Sequence, residues 1–461
     1  MKETKILFEL LDNLQTQIIP KWYPLSLDKK YGGYFSNLSY DFKVMPDQDK
    51  MIVTQARHIW TLSKLAHLFN DESLLNYAFH GFKFLKDKLW DNTFGGFYTI
   101  RNQEGYLTEY KGYLDEKRTY GNAFAIYGLA ALYEVTKNEE VLTLAKQTFD
   151  WIEEKAFDEK FNGYFQFLTQ VGIPFDKKSD YKTKAIDENE VGFKDQNSSI
   201  HLLEAYTELY NVWKSPELHS KLKNILLLIR DLITTKQGYL ILFFDRKWNP
   251  VTFRNASKEE RESNYGLDHV SFGHNYETAF LMLEASYVLG LQNDTKTLIT
   301  AKKMLDHAIE NGWDKNSGGF FDEGYYFKEN GKCQIIKDTK VWWSQAEGLN
   351  ALLLFSKIFP DEKKYYELFL KQWDYIKTYL IDKVNGDWYW GSLEKEPHYQ
   401  FEPKANIWKG TYHTARALMN CIKMLESEDD NEIFRLILNF NNEKLKSDKM
   451  INHWKVIGRT M

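Results

Sequence analysis

Four stretches of this 461-residue chain set ionisable and aromatic residues at helical spacing. Asn197, His201 and Glu204 follow at i, i+4 and i+7, so they share one helix face. His274 and Glu277 stand one turn apart, Trp342 and Trp343 are followed by Gln345 and Glu347, and Trp408 precedes Tyr412, His413 and Arg416. Arg57 and Tyr120 lie near the starts of two further helical stretches. Imidazole titrates near neutrality and can move a proton in either direction. A nearby carboxylate or amide can orient it, and a guanidinium can steady an oxyanion. Taken singly, each residue has a plainer role. A lone His on a buried helix is usually a hydrogen-bonded core residue, a Trp pair is usually core, and an isolated Arg or Glu is usually a paired surface charge. The joint pattern carries more weight. Three of only 11 His fall at equivalent starts of alternate helices, each with a carboxylate or amide companion. A His-x-x-Glu pair can ligate a di-iron centre when other helices repeat it. Here it is not repeated, and there is no His-Glu-x-x-His, phosphate-cradling Gly loop or Gly-x-Ser-x-Gly elbow. Neither a metal nor another cofactor is expected.

The elements that must position these residues are legible as a repeat. A Gly-aromatic turn recurs at Gly32-Gly33-Tyr34, Gly95-Gly96-Phe97, Gly163-Tyr164, Gly238-Tyr239, Gly318-Gly319-Phe320 and Gly386-Asp387-Trp388. The shortest interval, Gly32 to Gly95, is 63 residues and the longest, Gly238 to Gly318, is 80. That suits two helices and a long loop, with a short strand after each turn. Helical periodicity predicts twelve helices, near 4–19, 53–70, 73–89, 119–136, 139–155, 197–213, 216–234, 273–290, 295–311, 341–358, 361–379 and 407–426. Odd helices read as surface helices with one apolar stripe. Even helices carry the unusual polar residues and Ala-rich faces expected of an inner ring, with their N-terminal ends converging on one mouth. Six helical hairpins without a polar capping repeat predict an all-α, closed (α/α)6 barrel over 1–427, with short β-hairpins or extended turns in the loops. A C-terminal extension, 428–461, is read as separate.

Composition limits the function classes. A net charge of −5 gives no basic footprint for nucleic acid. No apolar run approaches the roughly 18 residues of a membrane span. The opening residues run straight into an amphipathic pattern with no signal core, and two cysteines make no disulfide framework, so a cytoplasmic protein is expected. Aromatic residues make up 16% of the chain; large aromatics fill cores, and their faces also stack on sugar rings, so the number raises the question of a sugar without answering it.

The carrying motifs are Arg57-His-Ile-Trp-Thr, Tyr120-Gly-Asn-Ala-Phe, Asn197-Ser-Ser-Ile-His201, Gly273-His274-Asn-Tyr-Glu277, Trp342-Trp343-Ser-Gln-Ala-Glu347 and Trp408-Lys-Gly-Thr-Tyr-His413-Thr-Ala-Arg416. In these the chain resembles the N-acylglucosamine 2-epimerase superfamily, and within it the cellobiose 2-epimerases, over roughly residues 5–427. The resemblance implies an (α/α)6 barrel and reversible epimerisation at C2 of a reducing-end aldose, with some members isomerising aldose to ketose. It implies His274 and His413 as the acid/base pair flanking C2, with His201 assisting ring opening. Arg57 would bind the enediolate oxygen, and Tyr120, Asn197 and Glu277 would orient the sugar and the imidazoles. Trp342 or Trp343, with Trp408, would stack on sugar rings, and Glu347 would hold a hydroxyl or a neighbouring side chain. The implied partner is a small sugar bound by a monomer or weak homodimer. The chain departs from the cellobiose 2-epimerase pattern at Ser199, Asn275 and Ser344, where His, Asp and Pro are usual. A glycoside hydrolase using Glu277 and Glu347, or a silent sugar-binding protein, are the readings from other classes.

Overall fold

The computed structural model describes residues 2–109, 112–181, 185, 187–291, 293–328 and 331–427; the expected extension, 428–461, lies outside the described residues. Among the described residues, twelve barrel helices follow in order: α1 Lys2–Asp12, α2 Ile52–Phe69, α3 Glu72–Phe84, α4 Thr119–Thr136, α5 Glu139–Lys155, α6 Gln196–Val212, α7 Pro216–Leu228, α8 Phe272–Val288, α9 Thr295–Gly312, α10 Trp342–Ile358, α11 Lys364–Tyr379 and α12 Tyr412–Glu426. Helices α1, α3 and α7 run on into π-helical turns at Asn13–Ile18, Leu85–Leu89 and Ile229–Ile233. This is why helical periodicity persists past their α-helical ends.

Two features differ from the sequence expectation. The twelfth helix starts at Tyr412, not near 407, because Asn406 Oδ1 accepts the backbone N–H groups of Trp408 (2.8 Å) and Lys409 (2.9 Å) and holds a turn there. Trp408 therefore sits on the loop before the helix. The charged stretch ahead of α8 is not all loop. It contains a further helix, Lys258–Asp268, N-capped by the Ser257 hydroxyl.

The even helices form the inner ring. Each packs on the next, α2 on α4, α4 on α6, α6 on α8, α8 on α10, α10 on α12, and α12 returns to α2. Their composition suits this place. Nearly every residue of α4 from Thr119 to Leu132 is buried, whereas outer α5 buries one stripe that includes Val141, Ala145, Phe149 and Ile152. Gly128 permits the closest α2–α4 approach, since a Cβ there would lie 2.6 Å from the Ala56 carbonyl oxygen. Each outer helix packs on the inner helix before it, except α1. That helix packs on α12, so the two chain-distant helices complete the sixth hairpin and close the ring.

Short strands tie the repeats together at the mouth. β1 (Lys50–Met51) pairs antiparallel with β2 (Ile100–Arg101), β3 (Lys117–Arg118) with β4 (Phe167–Leu168), and β5 (Lys194–Asp195) with β6 (Phe243–Phe244). β7 (Val270–Ser271) pairs with β8 (Glu323–Tyr326), which pairs with β9 (Cys333–Lys337). Strands β1, β3, β5 and β7 each run directly into an inner helix, and the first helical N–H bonds to the neighbouring hairpin, as Ile52 does to Thr99 O and Phe272 to Asp322 O. Inner helices α2, α4, α8 and α10 thus begin without a side-chain cap, while outer α3, α5, α7 and α9 are capped by Asp71, Asn138, Ser215 and Asp294.

A second repeating device sits under the turns. Buried Lys50, Lys117, Lys194 and Lys340 pair with Asp28, Asp91, Asp158 and Asp314, and the sixth repeat uses Lys404 and Lys409 with Asp382 and Asp387. Lys117 Nζ also donates to the Gly95 and Gln170 carbonyls, pinning the turn to the next hairpin. The fourth repeat carries Thr235 and Val270 at these positions instead.

Candidate active site

The candidate residues occupy two layers at the N-terminal ends of the inner helices. Tyr120, Asn197, His274, Trp343 and His413 are the second or third residue of their helices. Arg57, His201, Glu277, Glu347 and Arg416 stand a turn deeper, at the fifth or sixth. A 3.6-residue period stacks each deep residue below its shallow partner.

In the upper layer the half-buried Trp343 ring lies between two imidazoles, 4.9 Å from His274 and 5.7 Å from His413 by ring centroids. Gly273 allows this approach, because a Cβ there would meet Trp343 at 2.5 Å. His413 Nδ1 lies 2.7 Å from Glu347 Oε1 and 4.0 Å from Glu277 Oε1. A carboxylate accepts this bond, so Nδ1 carries the proton and Nε2 keeps its lone pair. Gln196 Nε2 lies 3.5 Å from His274 Nδ1. Burial, together with the neighbouring His201, His269 and His413, pushes His274 down to about 3. Burial and then the Arg57 guanidinium hold His413 well below the usual imidazole value. Both rings are neutral at physiological pH and able to accept a proton.

The lower layer is organised by Arg416, which sequence reading places beside the site without assigning it a role. Its guanidinium bonds Glu277 (2.5 Å), Glu347 (2.6 Å) and Glu204. His201 Nδ1 bonds the other Glu204 oxygen at 2.8 Å, and the Tyr412 hydroxyl donates to Glu204. Burial alone would raise Glu204, but Arg416 and His201 outweigh it and pull the group down to about 2. Glu204 and Arg416 were signalled by their helical spacing from His201 and His413. Their pairing across the ring, 212 residues apart, was not.

Arg57 donates to the Tyr120 hydroxyl and to the Trp408 carbonyl, both at 3.1 Å, and neither partner is a carboxylate. It is stacked over Phe124 and Tyr412 with its positive charge directed at the site. His58 of the same motif is structural: buried, pushed down to about 3 by burial, and bonded to the Tyr23 hydroxyl. Trp342 is buried against Trp390 (4.3 Å), so of the Trp pair it is Trp343 that borders the imidazoles. Trp408 is 37% exposed at the rim. Several buried polar atoms around the site have no protein partner, among them Asn197 Oδ1, Gln196 Oε1, Arg57 Nε and Glu347 Oε2. A hydroxyl-rich ligand would satisfy such atoms.

Three residues that depart from the family pattern prove to have structural duties. Ser199 Oγ bonds the Asp195 carbonyl, Asn275 Oδ1 accepts the Leu240 N–H at 3.2 Å, and Ser344 bonds the Tyr276 hydroxyl.

Among the described residues, Glu277, Glu347 and His413 are a group whose ligand atoms, within 4.8 Å of one another, could hold a cation. The Arg416 guanidinium already bonds both carboxylates, so a metal would have to displace it. The same closeness bears on glycoside hydrolysis, which needs two carboxyl groups about 5–9.5 Å apart across a sugar bond. Glu277 and Glu347 instead share one guanidinium, that of Arg416.

The model of the family described as N-acylglucosamine 2-epimerase (GlcNAc 2-epimerase) matches residues 33–417. A cellobiose 2-epimerase from Bacteroides fragilis is 31% identical, over 90% of this chain and 98% of its own length. One from Dictyoglomus turgidum is 30% identical with the same coverage. The solved structure of a cellobiose 2-epimerase from Bacillus thermoamylovorans superposes with a TM-score of 0.77 at 29% identity, covering 92% of this chain and 99% of the other. Fold, site and relatives define a carbohydrate epimerase, an isomerase built on an (α/α)6 barrel. The chain belongs to the N-acylglucosamine 2-epimerase family.

Proposed function

We propose that this enzyme interconverts the C2 configuration of the reducing-end aldose of a β-1,4-linked disaccharide such as cellobiose or mannobiose. The observation that carries the reading is the pair of buried imidazoles, His274 and His413, both packed against Trp343 at 4.9 and 5.7 Å. The sugar ring opens, with His201 shuttling the proton between the ring oxygen and O1. One imidazole then removes the weakly acidic C2 proton while Arg57 steadies the developing enediolate oxygen. The other, protonated from solvent at the enediolate stage, returns that proton to the opposite face, and the first releases the abstracted proton to solvent. Tyr120 and Asn197 orient the sugar, Glu277 and Glu347 hold His413, and Trp343 with the rim Trp408 supplies apolar surface for the sugar rings. Trp342 backs this wall from the core. No helix among the described residues is long and apolar enough to cross a membrane. Incubation with cellobiose, mannobiose, mannose and N-acetylmannosamine, with the products resolved, tests it. The expected result is the C2 epimer of a disaccharide. A ketose from free mannose, with no disaccharide turned over, would replace this reading with aldose–ketose isomerisation through the same enediolate.

A further inference from the structure

Outside the barrel mouth, a cleft of about 560 Å³ opens between the Gly238 turn and the β8–β9 hairpin. Its volume is that of a small-molecule site. It belongs to the fourth repeat, the one that lacks the buried Lys–Asp pair. Elsewhere a lysine ties turn to hairpin; here Thr235 and Val270 stand at those positions, and the stacked Tyr239 and Tyr326 rings (5.0 Å) join the two instead. Gln237, Tyr239, Tyr326 and Phe327 line it, with Arg254 and Asp268 also in the wall.

His269 and the exposed Lys328 also border the cleft; Asp268 and Arg254, each with an unpartnered buried atom, specify the occupant. Asp268 is 6% exposed. Its Oδ2 accepts three bonds, from the Phe253 N–H (2.6 Å), the Tyr325 hydroxyl (2.9 Å) and the Thr252 hydroxyl (3.1 Å). Its Oδ1 is buried without a partner. A lone carboxylate oxygen in a wall calls for a ligand that donates. Arg254 donates to the Tyr239 hydroxyl at 2.8 Å, lies over the Tyr239 and Tyr326 rings, and has an unpartnered Nε. It calls for an acceptor. Asp268 and Arg254 carry opposite charges, so the lining suits a neutral ligand that both donates and accepts and has some apolar surface for the aromatic wall.

We propose that this cleft is a second carbohydrate-binding site, taking a neutral sugar ring with one hydroxyl on Asp268 and another on Arg254. The assignment comes from the cleft's own lining and is separate from the reaction read at the inner helices. The occupant is either a free sugar or the distal ring of a longer oligosaccharide.

The test titrates the full chain calorimetrically with methyl β-cellobioside, whose blocked anomeric carbon prevents reaction. Binding at the cleft should weaken by about tenfold or more in Asp268→Asn, as expected for a lost hydrogen bond to a charged group. Because Asp268 also holds a turn, Gln237→Trp, a change at an exposed lip position that fills the cleft, should give the same loss. Turnover of whichever sugar the enzyme epimerises should stay near the parent value in both variants. A raised KM for cellotetraose alone would assign the cleft to distal rings, and an unchanged KM for every substrate would assign it to a separate sugar; either result upholds the site. A single binding event per chain that is unaltered in both variants, or tighter binding of inorganic phosphate than of the glycoside, would overturn it. The titration needs no turnover, so its failure is distinguishable from a failure of the proposed reaction.

Discussion

His274 and His413 reach one indole from two helices, and only His413 is tied to a carboxylate. Replacing either with Asn keeps size and some hydrogen bonding but removes the proton-transfer function. Each variant should lose a factor of about 10²–10⁴ in epimerisation, with circular dichroism unchanged; near-normal activity in His413→Asn would move the role to His201. The electrical setting gives a second expectation. Burial disfavours the charged imidazolium, so protonation, and with it loss of the base, is displaced to lower pH. The acid limb of the kcat/KM profile should therefore lie well below the ordinary imidazole value of about 6.5. A limb centred near that value would show that a solvent-like imidazole controls the rate. At this scale much was legible, because helical spacing alone puts His201 with Glu204 and His413 with Arg416. What spacing cannot reveal is which partners meet across a ring. Arg416 finds three carboxylates on three other helices, and only closure of the barrel brings them together. Likewise spacing does not separate Trp342 from Trp343; a rotation of one residue about α10 sends the first into the core and the second to the site.

The elements carry a device of their own in the buried lysines that bond turn carbonyls and an aspartate. Lys117→Met would leave Asp91 buried without its cation, together with the Gly95 and Gln170 carbonyls. Removing one partner of such a pair typically costs about 3–5 kcal/mol. Thermal denaturation should show a clear fall in Tm, while activity per folded molecule is retained, because Lys117 touches none of the site residues. An unchanged Tm would mean that the pair contributes nothing to the repeat. The Gly-aromatic turns and the helix count were readable from the sequence. The Lys–Asp pairs were not, although the Asp four residues before the Gly in Asp28, Asp91 and Asp314 was a signal. The missing information is that strand pairing brings each lysine onto the preceding turn. The helix Lys258–Asp268 was hidden by its charge, since it buries little of itself and shows no apolar stripe.

At the scale of the whole molecule, closure depends on the two ends of the barrel meeting. Helix α1 packs on α12, and Glu9 of α1 accepts bonds from Trp373 (2.8 Å) and Lys377 (2.8 Å) of α11. Because α12 already completes the ring, a chain ending at residue 427 should remain folded, with cooperative unfolding and a native circular dichroism spectrum. Insoluble product from that truncation would show that the extension covers part of the barrel. Closure was inferable from the number of hairpins. The pairing of first helix with last was not, since nothing local in α1 distinguishes it from the other outer helices.

In the proposed reaction a proton leaves and returns at C2 through imidazoles that exchange with solvent. Turnover in deuterated water, with the epimerised product examined by NMR, tests this most directly. Deuterium is expected at C2 of the product, with His274→Asn or His413→Asn washing deuterium at most into unconverted substrate. Product formed at the normal rate without deuterium at C2 would contradict it and would require inversion by a route in which that proton is never released.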